Sequence, residues 1–113
     1  MVGMRIWVDD VRPAPEGYAL CHSVNEAIET IKLVESFCFY NPTTKEERRV
    51  VIELIDIDHD AGDYVWDGGD YIKLLDWLEE TCRNYPIRIH SMNPVGVENM
   101  RRIIQRNGWI EVR

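Results

Sequence analysis

The sequence predicts an α/β domain: a five-stranded, mostly parallel sheet in the doubly wound order 2-1-3-4-5, with about three helices mainly on one face. Three observations carry this. Strand-like apolar runs alternate with segments of helical period, the pattern of a parallel sheet with crossover helices. Three of the runs end in polar clusters: Met4 to Val8 at Asp9-Asp10, Val50 to Ile57 at Asp58-His59-Asp60, and Ile87 to Ile89 at His90-Ser91-Met92-Asn93. Ligands of open α/β sheets sit outside the carboxyl ends of the strands. Finally, two connections of a full five-unit pattern lack a helix, and both absent helices belong on the same face.

The 113 residues suffice for a single domain spanning 1–113, and 45% hydrophobic with 29% charged residues is an ordinary globular balance. The first strand is read at about 4–9. The connection 11–17 holds Pro13, Pro15 and Gly17 and cannot be helical. As an extended strap of seven residues at about 3.3 Å each, it spans roughly 23 Å, enough to recross a short strand. Residues 18–22 read as a second short strand. Ser23-Val24-Asn25-Glu26 has the form of a capping box. The helix behind it, to about Phe37, is set in period by Ala27, Ile28, Ile31, Val34 and Glu35. Residues 41–45 read as a loop. Arg49 to Asp58 is apolar at nearly every place, as a central parallel strand should be. Asp67-Gly68-Gly69-Asp70 reads as a turn and helix start, followed by the apolar stripe Tyr71, Leu74, Leu75 and Leu78. Pro86 opens a strand at 87–91. Residues 93–96 read as a tight turn, and a helix from about Val97 to Arg106 ends at the left-handed cap signal Asn107-Gly108. A last short strand covers 109–112.

Alternation across each strand assigns Met4, Ile6, Val8, Ile55, Ile57, Ile87, Ile89, Ile110 and Val112 to one apolar face. Arg5, Trp7, Asp56, Arg88, Trp109 and Glu111 fall on the other. The second face is expected to be wet or closed by a partner subunit, and exposed Trp7 and Trp109 would mark a homodimer contact there. Trp77 is expected to pack against the sheet. Trp66 reads equally as a surface on which a base stacks and as cover for the core edge.

Net charge is −7, unevenly spread: residues 1–82 hold 7 Lys and Arg against 18 Asp and Glu, and residues 83–113 hold 6 Arg against 2 Glu. The surface as a whole should repel nucleic acid. The arginines 101, 102 and 106 read either as a phosphate patch or, more simply, as a solvated helix face. No apolar stretch is long enough to cross a membrane, and the N-terminus has no signal-peptide form. Cys21, Cys38 and Cys82 have no CxxC spacing. They read as reduced, mostly buried thiols, which argues for a cytoplasmic setting without zinc.

Asp9, Asp10, Asp58 and Asp60 are expected to converge on one pocket. Four carboxylates there repel strongly, which a cation or raised pKa values would relieve. Mg²⁺ (or Mn²⁺) suits carboxylate and water oxygens and bridges to phosphate. The plainer alternative makes Asp9-Asp10 a turn, with Arg12 pairing one of them.

These clusters resemble the receiver (response-regulator) superfamily, with its flavodoxin-like sheet. Its members carry an acidic pair after the first strand, an aspartate ending the third and a Ser or Thr ending the fourth, here Asp9 and Asp10, Asp58, and Ser91. The stretches 7–13, 54–60 and 89–94 look like the divergent branch of cyclic-phosphate-processing receivers, over about residues 4–112. The resemblance implies action on a cyclic phosphate, in a setting such as RNA repair. Two features depart from ordinary receivers. The lysine expected after the fifth strand is absent, the last lysine being Lys73, and the first and fifth helices are reduced or absent. Phosphorelay switching is accordingly not expected.

With cyclic phosphate as the target, a histidine pair suits ring opening: one of His59 and His90 takes a proton from water and the other gives one to the leaving ribose oxygen. Asp58 shares the catalytic assignment. Arg12, Ser91 and Asn93 are phosphate-holding candidates, helped by amides that begin a helix after Pro94. The expectation is a metal-assisted phosphoesterase acting on a phosphate-bearing small molecule or an RNA terminus. The alternatives are an atypical receiver that passes a signal through Asp58, and a non-catalytic interaction domain. His22-Ser23 repeats the His-Ser pair of 90–91 but reads only as a helix cap.

Overall fold

The structure is a computed structural model that describes residues 2–113, with backbone alone for 38–40 and 48. Its elements are β1 (Val2–Val8), β2 (Tyr18–Cys21), α1 (Val24–Glu35), β3 (Cys38–Asn41), β4 (Glu46–Ile57), α2 (Ile72–Glu80), β5 (Ile87–Ile89), α3 (Pro94–Asn107) and β6 (Glu111–Val112), with one turn of 3₁₀ helix at Gly62–Tyr64. The sheet runs β2-β1-β4-β5-β6, and β3 is attached to β4 off this path. Every neighbour on the path is parallel. This is the order 2-1-3-4-5 read from the sequence, with one strand added.

The added strand was not read from the sequence; the loop read at 41–45 is the turn that joins it to β4, with Asn41 as the last residue of β3. β3 pairs antiparallel with the first four residues of β4, Asn41 facing Glu46. The Asn41 side chain closes the turn by accepting the amides of Thr43 (3.0 Å) and Thr44 (3.4 Å). Lys45 takes the left-handed conformation, φ 59°. A four-residue strand following a helix is too short to show its own period. β4 thus serves twice: residues 46–49 pair with β3, and residues 50–57 pair with β1.

All three helices among the described residues bury their apolar sides in one cluster with Ile6, Val8, Ile55, Ile57 and Ile87. α1 contributes Val24, Ala27, Ile31 and Val34; α2 contributes Leu74, Leu75 and Leu78, with Tyr71 just before it; α3 contributes Met100, Ile103 and Ile104. Each buried Ile or Leu stabilises by about 1.5–3 kcal/mol relative to an exposed one. A one-residue slip of a strand would forfeit several of these at once, so β1 and β4 are fixed in register. The capping box is present: Ser23 Oγ accepts the Glu26 amide at 3.0 Å, and Glu26 Oε2 accepts the amide of His22 at 3.0 Å. Residues 93–96 are the start of α3 rather than a separate turn. Asn93 caps it by accepting the Gly96 amide at 3.0 Å, and Pro94 occupies the first turn, where its missing N–H costs nothing.

The other face corrects two expectations. Trp7 is buried because the strap 11–17 folds over it, and its indole N–H donates to the carbonyl of Arg12 at 3.2 Å. The strap thus covers sheet that a helix would otherwise cover. Trp109 is also buried, but on the helix side, within the main core. The last strand is one residue out of the predicted alternation. Glu111 stands level with Ile87 and accepts Arg101 from α3 at 2.8 Å, while Ile110 and Val112 are exposed. Neither tryptophan is exposed on the helix-free face.

The thiol reading is also amended. Cys21 is buried and its thiol is pushed up to about 11 by desolvation. Cys82 is exposed, and the Cys38 side chain lies outside the described residues. Trp77 packs at the core margin, with the Arg83 guanidinium 4.3 Å above its ring.

Candidate functional site

The carboxyl ends of β1, β4 and β5 lie side by side, because β4 pairs with both of the others. Asp9 follows the last residue of β1 and is fully buried. Its Oδ1 accepts the amides of Val11 (2.9 Å) and Arg12 (2.8 Å), so the Asp9 turn is closed by backbone and not by the Arg12 guanidinium. Arg12 instead donates to the His90 carbonyl at 3.1 Å, bringing the strap over the end of β5. Burial pushes the Asp9 carboxyl up, but the amides of Arg12 and Val11 together with His90 outweigh it and hold the group below the usual carboxylate range.

Asp9 Oδ2 meets His90 Nε2 at 2.8 Å, and His90 Nδ1 meets Asp56 Oδ1 at 2.6 Å. Asp56 is fully buried in β4, and its second oxygen accepts Arg88 at 3.1 Å. The imidazole lies flat on the Trp7 indole, centroids 3.8 Å apart and planes at 5°. The result is a chain Asp9–His90–Asp56–Arg88 with one exposed end. The His90 side chain is only 8% exposed, and Arg88 is 46% exposed on the helix-free face. Carboxylates only accept, so each His90 nitrogen acts as donor wherever its partner is ionised. His90, one of the two histidines paired in the sequence reading, is therefore committed to the protein on both nitrogens.

Asp58 sits beside this chain, partly exposed, with the His59 amide donating to it at 2.7 Å. Single ligand atoms of Asp9, Asp58 and His90 lie within 4.8 Å of one another. Asp10 completes the acidic group: burial, then the charges of Asp9 and Asp58, push its carboxyl up. The same acidic neighbours, after burial itself, push up the phenol of the buried Tyr71, whose O–H donates to the His22 carbonyl at 2.6 Å. Unrelieved repulsion among Asp9, Asp10 and Asp58 is the condition that a divalent cation with oxygen preference removes. The group that could hold such an ion is Asp9, Asp58 and His90, with Asp10 beside it.

Asp60 is turned elsewhere. It is exposed and pairs with His59 Nδ1 at 2.9 Å. His59 is packed against α3, so closely that a Cβ on Gly96 would fall 2.4 Å from its ring. Ser91 Oγ accepts the Asn93 amide at 3.2 Å, and Asn93 is engaged as the helix cap with its Nδ2 3.5 Å from His59 Nδ1. Ser91 and Asn93 thus stand at the end of β5 and the head of α3, next to His59.

Four residues of this neighbourhood carried no site role in the sequence reading. Asp56, Trp7 and Arg88 were visible only as strand positions; the available signal was a carboxylate between two isoleucines near the end of the apolar run of β4. His22 borders Asp9, its Nδ1 3.3 Å from the Asp9 carbonyl, and its ring stacks on Tyr64 at 4.8 Å. Its cap neighbourhood is real, but it also stands at the site. The basic cluster takes the plainer reading: Arg101 pairs with Glu111, Arg102 with Glu98, and Arg106 with Glu79. A groove of about 720 Å³ runs along α3 from Ser91 past Val97 to Gln105, away from the carboxylates and lined by two of these paired arginines.

The model of one protein family, the cyclic-phosphate processing receiver domain, matches residues 4–106. The chain belongs to this family. The match spans every strand end described above, and stops one residue short of the end of α3. No curated protein and no solved structure matches this receiver domain. Among its described residues no helix is long and apolar enough to cross a membrane.

Proposed function

We propose that this receiver domain is a metal-assisted phosphoesterase that opens a cyclic phosphate. The observation that carries the reading is the convergence of Asp9, Asp58 and His90 within 4.8 Å at the strand ends, with Asp10 beside them pushed up by burial and by the charges of Asp9 and Asp58. A divalent cation held there supplies positive charge to the phosphate and polarises its P–O bonds.

The residues around it divide the work. His90 holds Asp9 in place through the buried chain and keeps that carboxylate aimed at the pocket. His59 Nδ1 donates to Asp60, so Nε2 carries the lone pair that takes a proton from water. The water oxygen bonds to phosphorus, one ribose–oxygen bond to phosphorus breaks, and the freed oxygen takes a proton to leave a phosphomonoester. Arg12 and Ser91 hold phosphate oxygens from either side of the β5 end, and Asn93 keeps the α3 amides oriented toward them.

The test is incubation with Mg²⁺ or Mn²⁺ and a 2′,3′-cyclic nucleotide, with products separated by chromatography. Ring opening by the wild type that Asp58→Asn and His59→Ala abolish is the expected result. An unchanged cyclic nucleotide over the full range of metal and pH overturns the reading.

A second reading has one observation in its favour. Asp58 follows β4, where the receiver resemblance implies a phosphoacceptor, and the residue is partly exposed. Acid-labile labelling by acetyl phosphate, lost in Asp58→Ala and unaccompanied by ring opening, would replace the esterase reading with this one.

A further inference from the structure

The most exposed large aromatic residue among the described side chains stands close in sequence to this site. Trp66 is 78% exposed and Val65 beside it is 49% exposed. Trp66 therefore does not cover the core edge. The segment that presents it is not loose. Tyr64, Val65, Asp67 and Gly69 donate their amides back to the carbonyls of Ala61, Gly62, Tyr64 and Val65 in successive turns. Both ends are anchored: Ala61 donates to Asp70 at 3.0 Å, and Asp67 accepts Ser23 Oγ at 2.6 Å and Asn25 Nδ2 at 3.0 Å. The Asp67 carbonyl also accepts the Asn25 amide. A tryptophan left in water on a well-anchored segment has no role in packing, and a rigid aromatic face is what a flat ligand ring requires.

The segment is joined to the site at two places. Asp10 Oδ2 lies 2.2 Å from where a Cβ on Gly62 would be, so the acidic group rests directly on this glycine, whose φ of 53° suits the residue. Tyr64 stacks on His22, which faces the Asp9 carbonyl. Trp66 follows the 3₁₀ turn four residues after Gly62 on the same anchored segment. Charge limits the length of the ligand. Asp60, Asp63, Asp67 and Asp70 surround the segment, and such a surface repels the backbone phosphates of a long strand.

We infer that Trp66 is a nucleobase platform, and that the ligand of this site is a mononucleoside phosphate. The inference rests on the phosphoryl reading of the strand ends and names the rest of the ligand. Stacking accepts every base, so the platform selects for the presence of a base and only weakly for its identity.

Adenosine 3′-monophosphate, adenosine and inorganic phosphate, each with Mg²⁺, serve as probes in calorimetry and in NMR of the Trp66 indole. Trp66→Ala is expected to weaken the mononucleotide roughly 5- to 150-fold, the range that base–aromatic stacking spans, and to leave inorganic phosphate unchanged. Trp66→Phe should retain most of the affinity. Equal mononucleotide affinity in Trp66→Ala and wild type, with phosphate still bound, overturns the platform and spares the phosphoryl reading. An indole signal that moves with adenosine while phosphate fails to bind does the reverse. Absence of both removes both. An affinity that climbs from the mononucleotide to a ten-nucleotide RNA 3′-phosphate overturns the assignment to a small ligand.

Discussion

The two faces of the sheet are held by different physics. On one, three helices close a dry layer of Ile, Leu, Val and Met side chains whose contribution is area removed from water. On the other, a strap stands over Trp7, and the buried groups include Asp9, the nearly buried His90 and Asp56, held by directional hydrogen bonds. The apolar face tolerates substitutions of similar volume. The polar face does not, because removing any one member takes a hydrogen-bond partner from a buried or nearly buried polar group. The difference teaches where function can be built: the dry face fixes the register of the strands, and the polar chain then delivers Asp9 to the edge where the other carboxylates gather.

The sharpest way to break this comparison is His90→Ala. It takes from buried Asp9 and Asp56 the partner they share, leaving Asp9 only the Val11 and Arg12 amides and Asp56 only Arg88, and should cost about 3–5 kcal/mol in urea denaturation. A loss as small as that of an exposed substitution would show that the polar chain contributes nothing. Leu75→Ala is the counterpart on the dry face, with an expected cost of about 2–5 kcal/mol. Its cost should not depend on pH, whereas that of His90→Ala should shrink only below about pH 4, where Asp9 protonates.

The pH profile sharpens the same point. Asp9 is held below its unfolded value, so its stabilising effect is complete above about pH 4 and is lost as pH falls through the lower folded value. Asp10 has the opposite sign: its folded carboxyl is raised, so it destabilises once pH rises past the unfolded value. Asp10→Asn should therefore raise the melting temperature of the metal-free protein at pH 7, and should reduce the further rise produced by Mn²⁺. An equal Mn²⁺ shift in both proteins would remove Asp10 from the cation site. The smallest expected effect is at the helix start shared by both regions: Ser23→Ala removes a cap worth about 1 kcal/mol, measured by thermal unfolding, and loosens Asp67.

Much of this was legible in the residues. Strand order, the helix-poor face and the grouping of Asp9, Asp10 and Asp58 follow from alternation, from the prolines of the strap and from polar residues at strand ends. These are local signals repeated along the chain. The misses have one cause: they concern which of several near neighbours a side chain turns toward. Asp60 and Asp58 are two residues apart, yet one turns to His59 and the other faces Asp9. Ile110 and Trp109 exchanged faces because a two-residue strand carries too little period to fix its own register. β3 was hidden behind a helix end for the same reason.

By itself, then, the sequence determined the layer architecture and the edge where ligands gather, because hydrophobic burial acts on patterns that a chain displays in order. Only the tertiary structure decided that His90 is sealed between Asp9 and Asp56 while Trp66 is left in water. Those outcomes depend on strands 1, 4 and 5 and the strap meeting within hydrogen-bond distance, between residues up to 81 apart in sequence. No local pattern encodes a contact of that range.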